Sequence, residues 1–279
     1  MTDRLRVTAR DATFQRWTTL LTNRTKRRRA GELLVQGVRP LDQAVAHGWQ
    51  VRTWLHGPDG VVSRWAHDHL DASDAPRAAV ATDLLAELGG KEEQVPELLA
   101  VVAIPPDDLT RIPPRPDALV VVFDRPSSPG NLGTLLRSAD AFGADGVVVT
   151  GHAADPYDPR CVRASTGSLF ATPTVRVGSH REVLAWVETT VRAAAVPLQV
   201  VGTDERGELD LPAVDLTAPT LVVVGNETNG MSAGWRAACE RTVRIPMTGS
   251  ASSLNAATAG SLVLYEAARQ RGTGVAAVS

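Results

Sequence analysis

Three clusters of polar residues, each placed directly after an apolar run, could carry chemistry in this chain. The first follows Phe123-Asp124 and contains Asn131 and Arg137. The second is Gly225-Asn226-Glu227-Thr228-Asn229-Gly230, and the third runs from Ile245-Pro246-Met247 to Ser253-Leu254-Asn255-Ala256. Their guanidinium, carboxylate, amide and hydroxyl groups are suited to holding an anion or stabilising a negative charge that develops during a reaction.

Several common kinds of site are not indicated by the sequence. The stretch from Gly225 to Gly230 resembles a glycine loop, but it lacks the Lys-Ser/Thr of a P-loop, and no GxGxxG follows a strand. There is no HExxH and no GxSxG, and the two cysteines, Cys161 and Cys239, form no CxxC pair. We therefore expect neither a metal nor a nicotinamide cofactor.

The third cluster reads as the end of a strand, a small-residue loop and the start of a helix. Residues 242–245 form a short segment rich in β-branched residues, which is typical of a strand. Pro246 ends this strand because proline has no N–H to donate to the hydrogen-bond ladder of a sheet. Ser252 or Ser253 is predicted to cap a helix that runs to about Gln270. Open α/β sheets bind ligands where strand ends meet helix N-termini, although an ordinary connection has the same pattern.

The elements around the clusters predict a parallel sheet. Apolar runs at 118–124, 146–149, 174–177, 198–202, 220–224 and 243–245 are typical of strands buried on both faces. Helical segments at 131–142, 159–170, 181–195 and 233–239 separate most of them, as right-handed crossovers require. Asn131 suits the N-cap of the first helix. Arg137 lies beside its apolar stripe, where a surface pair with Asp140 is the alternative to a functional role.

The first hundred residues alternate short strands and helices, which predicts a smaller α/β domain with its own core. A proline-rich stretch follows, and proline makes it semi-rigid. We therefore predict an N-terminal domain over 1–106, a linker over 107–117 and a larger α/β domain over 118–279.

The densest positive charge lies in the N-terminal domain, at Arg24, Lys26, Arg27, Arg28 and Arg29. Clustered Arg and Lys supply the salt-dependent part of nucleic-acid affinity, so this run is a candidate phosphate-binding patch. A solvated helix face has the same composition. No aromatic residue is interleaved, so base stacking is not indicated.

The composition is that of a soluble globular chain, with 43% hydrophobic and 22% charged residues. The formal net charge of −2 excludes a global basic field but leaves room for a local basic patch. The N-terminus is polar and no apolar run approaches membrane-spanning length, so we expect a cytoplasmic protein.

Taken together, the three clusters resemble motifs one, two and three of the SpoU/TrmH methyltransferases, members of the SPOUT superfamily. The resemblance covers about residues 118 to 270 and agrees in order, spacing and placement at strand ends. Residues 31–38 are similar to the substrate-binding domain of the same family. Gln36 departs from that pattern, since an acidic residue is expected there.

The resemblance implies an S-adenosylmethionine-dependent RNA 2′-O-methyltransferase that is a homodimer with a trefoil knot in its C-terminal domain. It gives Arg137 the role of activating the ribose hydroxyl. An arginine is effectively always protonated, so this role would be to hold a phosphate or stabilise an alkoxide. Asn131 would orient Arg137 or the ribose, and Glu227 would hold the second-cluster loop or contact Arg137. Ser253 and Asn255 would fix the loop and the substrate.

The resemblance also implies which residues hold the cofactor. They surround the strand ends, with backbone groups cradling its adenine and methionine parts, and a side chain added at Gly225 would enter the cofactor space. The expected contacts are Thr203, Gly225, Asn226, Ile245, Met247, Ser253 and Leu254. Arg163 is expected to touch an RNA phosphate, the alternative being a surface arginine on a helix.

The leading hypothesis is that the substrate is 23S ribosomal RNA. One form of this hypothesis is an enzyme that confers antibiotic resistance by modifying the large-subunit RNA. A transfer-RNA 2′-O-methyltransferase is the nearest alternative. A non-catalytic RNA-binding protein is disfavoured by the intact Asn131, Arg137, Glu227, Ser253 and Asn255. A nicotinamide oxidoreductase is disfavoured by the missing glycine fingerprint.

Overall fold

The computed structural model describes residues 5–90, 95–191 and 198–272. The chain divides into two compact units. Unit 1 comprises Met1–Pro105 together with Tyr157–Val162, and unit 2 comprises Pro106–Pro156 together with Arg163–Ser279.

Unit 1 is built on a mixed five-stranded sheet in the order β1-β4-β3-β5-β2. Strand β5 is antiparallel to both β2 and β3, while β4 is parallel to β1 and β3. Its elements in chain order are β1 (Leu5–Val7), α1 (Ala12–Thr22), α2 (Arg24–Ala30), β2 (Glu32–Val35), α3 (Val38–Ala46), β3 (Val51–His56), α4 (Arg64–Asp71), β4 (Arg77–Val80), α5 (Thr82–Gly89) and β5 (Leu98–Ala103).

Helix α1 shows how sequence fixes this unit. Asp11 caps it by accepting a hydrogen bond from the backbone N–H of Phe14 at 2.9 Å. Phe14, Trp17 and Leu20 recur at helical spacing and are buried in one core cluster with the sheet residues Leu55 and Leu99. The predicted N-terminal core is thus present.

Unit 2 is built on a parallel seven-stranded sheet in the order β10-β12-β9-β11-β6-β7-β8. The elements that follow β5 are β6 (Leu119–Asp124), α6 (Pro129–Ala141), β7 (Gly146–Thr150), α7 (Pro159–Ser165), α8 (Ser168–Ala171), β8 (Thr174–Val177), α9 (His180–Trp186), β9 (Gln199–Thr203), β10 (Leu209–Asp210), β11 (Thr220–Val224), α10 (Ala233–Ala238), β12 (Arg241–Arg244) and α11 (Ala256–Gln270).

The central strands of unit 2 are covered on both faces, as their unbroken apolar runs predict. Val120 and Val122 of β6 belong to a core cluster with Trp186 and Trp235. The last helix, α11, packs on α6 and β11, where a side chain at Gly260 would meet Leu135 and Val224 at 2.7 and 2.9 Å. The small residues of α11 therefore allow the close approach that the sequence suggests.

The predicted mixed α/β fold, with a parallel sheet and a smaller N-terminal domain, is confirmed, but several elements differ. The sequence interpretation missed β1 and β10, which are three and two residues long, and it did not commit α2 to a helix. The helix predicted over 159–170 is two helices, because Gly167 at φ 101° separates α7 from α8. Where one helix is predicted over 181–195, α9 ends at Trp186 and a π-helical turn follows over Val187–Val191. Residues 192–195 lie outside the described residues.

The proline-rich stretch groups with unit 2, whose first segment begins at Pro106. Residues Leu109–Arg111 form a 3₁₀ turn, and Ile112 is fully buried in the core cluster of the seven-stranded sheet. Asp107 pairs with Arg176 at 2.7 Å. The domain limits 1–106, 107–117 and 118–279 remain a prediction, as does the trefoil knot.

Within the described ranges, no helix is both long and apolar enough to cross a membrane. In the same ranges, no group of three His, Cys, Asp or Glu side chains is placed to hold a metal ion.

Candidate active site

The candidate site lies at the carboxyl edge of the parallel sheet. Phe123 of β6 is paired with Val224 of β11, so Asp124, the last residue of β6, lies beside Gly225, the first residue after β11. On the other side of β11, Thr203 of β9 pairs with Val243 of β12. Because parallel strands end at one edge, the loops that follow these four strands meet there.

These loops enclose a cavity of about 320 Å³. It is lined by all seven residues predicted to contact a cofactor, namely Thr203, Gly225, Asn226, Ile245, Met247, Ser253 and Leu254. They come from the ends of β9, β11 and β12 and from the loop before α11. The volume is at the lower end of the range of about 300–1,000 Å³ for small-molecule sites.

The walls of this cavity combine apolar and charged groups. Met247 and Leu254 are 39% and 36% exposed, so two large apolar side chains are available to a flat aromatic ligand. On another wall, Arg236 pairs with Asp204 at 3.0 Å, and Glu205 lies beside them. An apolar wall next to charged groups fits a ligand with an adenine ring and a zwitterionic amino-acid end.

The sequence interpretation did not single out Asp204, Glu205 and Arg236. Asp204 and Glu205 directly follow β9, so the rule that ligands bind after parallel strands would have found them. Arg236 could not have been found in this way, since its place depends on how α10 packs.

Gly225 contributes to the site for a different reason than the sequence suggests. A Cβ atom there would lie 2.4 Å from the backbone of Gly230 and Met231, so it would not project into the cavity. The expectation that a Gly225 side chain fills cofactor space is wrong. Glycine is required because the loop from 226 to 230 folds back onto it, with Asn226 and Gly230 exchanging two backbone hydrogen bonds of 3.0 Å.

Glu227 joins the second cluster to the first. One carboxylate oxygen accepts hydrogen bonds from the backbone N–H and the hydroxyl of Ser127, both at 2.9 Å. The other accepts from the backbone N–H of Ser128 at 3.1 Å and from the side-chain amide of Asn131 at 3.0 Å. Glu227 therefore fixes both its own loop and the entry to α6.

The hydrogen bonds also control the charge of Glu227. Burial alone would raise the pKa of this carboxyl, but the bonds from Ser127, Asn131 and Ser128 outweigh it, so that the pKa is lowered. Glu227 is thus ionised at neutral pH and acts as an acceptor.

Asn131 and Asn255 join the first cluster to the third. The Asn255 amide donates to the side-chain oxygen of Asn131 at 3.0 Å, while its own oxygen caps α11 by accepting from the backbone of Ala257 and Thr258. Asn255 is therefore the N-cap, and the prediction of Ser252 or Ser253 is wrong. Asn131 is not the N-cap of α6 either, because Ser128 occupies that position and frees the Asn131 side chain for the two bonds described.

Arg137 does not join the hydrogen-bonded network formed by Glu227, Asn131 and Asn255 of its own chain. It is exposed on α6, it does not line the cavity, and among the described residues it has no hydrogen bond or ion pair. The contacts expected from Asn131 or Glu227 to Arg137 are absent from that part of the chain, since those side chains bond elsewhere. The alternative pair with Asp140 is also not formed, because Asp140 accepts from the Ser168 hydroxyl at 2.7 Å.

The basic run of unit 1 forms α2, and its members differ in exposure. Lys26, Arg28 and Arg29 are exposed, and Arg24 is half-buried. Arg27 is 2% exposed, and its guanidinium donates to the carbonyls of Leu20 and Leu21 at 2.8 and 3.2 Å. The prediction that Arg27 contacts RNA is therefore contradicted. Arg163, on α7, is exposed as expected.

A parallel α/β unit with a cavity at its strand ends, attached to a small α/β unit, agrees with the fold of the SPOUT methyltransferases. The SpoU rRNA methylase family matches residues 118–265, and the SpoU L30e-like domain matches residues 11–100. The chain belongs to the SpoU rRNA methylase family and is an RNA methyltransferase.

Similar proteins cover nearly the whole chain. A 23S rRNA (uridine(2479)-2′-O)-methyltransferase from Streptomyces viridochromogenes is 57% identical over 96% of this chain and 93% of its own length. The crystal structure of the SpoU methyltransferase AviRb from the same organism, in complex with the cofactor AdoMet, has a TM-score of 0.89 and 57% identity over 95% of this chain and 100% of that one. An AdoMet-bound rRNA methyltransferase from Sinorhizobium meliloti has a TM-score of 0.82 and 26% identity, covering 95% and 97% of the two chains.

Proposed function

We propose that this enzyme transfers the methyl group of S-adenosylmethionine to a ribose 2′-hydroxyl of 23S ribosomal RNA. The observation that carries the proposal is the cavity at the strand ends, which all seven expected cofactor contacts line. The 57% identity to a 23S rRNA 2′-O-methyltransferase supports the choice of RNA. The sulfonium of the cofactor, when bound, supplies an electrophilic methyl group.

The chain's own residues position the reactants. Backbone groups after β9, β11 and β12 would hold the cofactor, and Met247 and Leu254, which line the same cavity, would offer it apolar contacts. Glu227, Asn131 and Asn255 form a continuous hydrogen-bonded series that keeps the three loops in register. Ser253, exposed at the rim of the cavity, is placed to contact the cofactor or the ribose. Such positioning lowers the activation barrier, because the entropic cost of bringing the reactants together is met when they bind.

Arg137 supplies the positive charge for the reacting oxygen. A ribose hydroxyl is a poor nucleophile. A guanidinium would stabilise the negative charge on its oxygen as the O–CH3 bond forms, the S–CH3 bond breaks with its electron pair left on sulfur, and the hydroxyl proton passes to water. Since Arg137 lies off the cavity within one chain, we propose that the enzyme is a homodimer in which each Arg137 serves the cavity of the other subunit. Arg163 and the exposed residues of α2 bind RNA phosphates.

The proposal places the enzyme in the cytoplasm, where ribosomal RNA is available. Methylation of the large-subunit RNA would alter the surface that an antibiotic contacts. Resistance to such a drug therefore follows if the modified ribose lies in its binding site.

Calorimetry tests the cofactor part of the proposal. S-adenosylmethionine should bind the wild-type protein, and Gly225→Ala should weaken binding because the added Cβ displaces the loop from 226 to 230. Gly57→Ala, in unit 1, is the control, since a Cβ at that position would meet only the carbonyl oxygen of Gly60, at an ordinary contact distance of 3.9 Å. Tight binding of NAD without binding of S-adenosylmethionine would refute the proposal.

Mapping of 2′-O-methyl groups tests the RNA part. Total RNA from cells with and without the gene should differ at one ribose of 23S rRNA. A difference confined to transfer RNA would replace the ribosomal substrate by the alternative one.

A further inference from the structure

Two consecutive residues, Asp124 and Arg125, hold the segment that forms one wall of the cofactor cavity. That segment runs from Gly225 through the loop to Arg236. The Arg125 guanidinium donates to the carbonyl of Gly230 at 3.1 Å, and the Arg125 carbonyl accepts from the Asn226 side chain at 2.6 Å. Both ends of the loop from 226 to 230 are therefore tied to one residue.

The backbone of Arg125 is held in an unusual conformation. Its φ of 53° lies in the left-handed region, which residues other than glycine rarely adopt. Its N–H still continues the sheet by donating to the carbonyl of Thr150 at 3.0 Å, while the turn directs its own carbonyl to Asn226. Such a conformation persists only where the surroundings fix it, and here it allows contacts to both Thr150 and Asn226.

Asp124 provides the fixed point for the arginine. It is 3% exposed and accepts from the Thr150 hydroxyl at 3.0 Å, from the Ser232 N–H at 2.7 Å and from the Arg125 Nε at 3.2 Å. Ser232 is the N-cap of α10, the helix that carries Arg236. A buried carboxylate with these partners is rigid, because moving it would leave a charge without hydrogen bonds.

We propose that Arg125 is a positioning residue for the methyl transfer, an inference that rests on the proposed function. It sets the loop from 226 to 230 so that the backbone of Gly225 and Asn226 faces the cavity. Glu227 lies in the same loop, so the contact also fixes its distance from Asn131. Loss of the Arg125 side chain should therefore weaken cofactor binding more than it weakens the fold.

Arg244 offers a matched control in the same unit. Its guanidinium also joins a carboxylate and a glycine carbonyl, those of Asp210 at 2.7 Å and Gly207 at 3.0 Å, but Arg244 does not line the cavity. Arg125→Gln and Arg244→Gln thus remove the same kinds of bond. We expect about a ten-fold weaker affinity for S-adenosylmethionine in Arg125→Gln alone, the size typical for a lost hydrogen bond to a charged group.

Calorimetry, thermal melting and steady-state kinetics with RNA are measured on the full-length protein. We expect Arg125→Gln to raise the KM for the cofactor and lower kcat, with the KM for RNA unchanged and a melting temperature close to that of Arg244→Gln. Arg125→Lys should restore affinity in part, because an ammonium reaches one of the two partners but lacks the planar fork. Arg125→Gly relaxes the backbone and should still bind the cofactor weakly.

Wild-type affinity in both Arg125→Gln and Arg125→Gly would overturn the positioning role. Equal losses in Arg125→Gln and Arg244→Gln would also overturn it, because they would mean a general effect on stability. If Arg125→Gln does not fold, the affinities of Arg125→Gly and Arg125→Lys take its place. Weaker cofactor binding than in Arg244→Gln would support the positioning role, and wild-type affinity would overturn it. Failure of the wild-type protein to bind S-adenosylmethionine would instead refute the proposed function.

Discussion

At the scale of single residues, Arg137 is the clearest target. It is exposed and makes no hydrogen bond or ion pair among the described residues, so Arg137→Ala should leave stability and cofactor affinity nearly unchanged. Turnover should fall ~10²–10³-fold, as when one electrostatic donor is removed from an active site. Arg137→Lys should not restore it fully, because lysine lacks the planar fork. Methyl transfer from labelled cofactor to RNA measures the effect, and near-normal turnover in Arg137→Ala would show that the reaction does not require this arginine.

The stability that Glu227 contributes by joining the loops should depend on pH. Its folded-state pKa is lowered below the ordinary value of 4.5, so its stabilising contribution is present at neutral pH and is lost as the pH falls through the lowered value. The carboxylate of wild-type Glu227 offers two oxygens to its hydrogen-bond donors, whereas the amide of Glu227→Gln offers only one. The variant should therefore be less stable than wild type at pH 7. This difference in unfolding free energy should shrink below pH 4.5, as wild-type Glu227 becomes protonated.

Urea unfolding at a series of pH values measures that difference. Glu208→Gln is the control, because the Glu208 carboxylate is exposed and has no hydrogen bond in the described part of the chain. A difference between wild type and Glu227→Gln that does not change with pH would contradict the assigned role.

At the scale of elements, different arginines of α2 should serve folding and RNA binding. Arg27 donates to two carbonyls in the last turn of α1, which have no partner within that helix. Arg27→Ala should therefore lower the unfolding free energy by about 2 kcal/mol. Arg28→Ala with Arg29→Ala should instead leave stability unchanged, weaken RNA binding and reduce the salt slope by about one unit per lost phosphate contact. Filter binding at several salt concentrations, with melting curves, would show whether RNA affinity follows the exposed pair.

The same elements show what a sequence can predict. Strand β6, an unbroken apolar run, and helix α1, whose apolar residues recur at helical spacing, were predictable because burial imposes both patterns directly. The role of Arg27 was not, since nothing in a basic run distinguishes the arginine that turns back onto the preceding helix. Likewise, Ser128, Asn131, Ser253 and Asn255 are all suitable caps by type. The Asn131 side chain bonds instead to Glu227, which is 96 residues away and is not indicated by the local sequence.

At the scale of the whole molecule, the two units should divide the work. The cavity and its hydrogen-bonded loops belong to unit 2, whereas the exposed residues of α2 belong to unit 1. The positions that line the cavity were predictable because the family motifs fall at strand ends. The separation of Arg137 from that cavity was not, because it depends on the orientation of α6 relative to loops distant in sequence.

That separation leads to the last prediction, which concerns the dimer. If Arg137 acts on the cavity of the partner subunit, two inactive variants should complement each other. In a mixed dimer of Arg137→Ala and Gly225→Val, one site combines an intact cavity from the first variant with an intact Arg137 from the second, and the other site lacks both. Activity should therefore appear on mixing under conditions that allow subunit exchange.

The controls define the outcome. Each variant alone should be inactive, and light scattering on each variant and on the mixture should show dimers in all three samples. Because a mixed dimer has one working site, its activity should approach about half that of wild type. If Arg137 acts within its own chain, every site of every mixed dimer lacks one required residue, and mixing should restore nothing. A wild-type protein that is fully active as a monomer at micromolar concentration would also contradict the shared site.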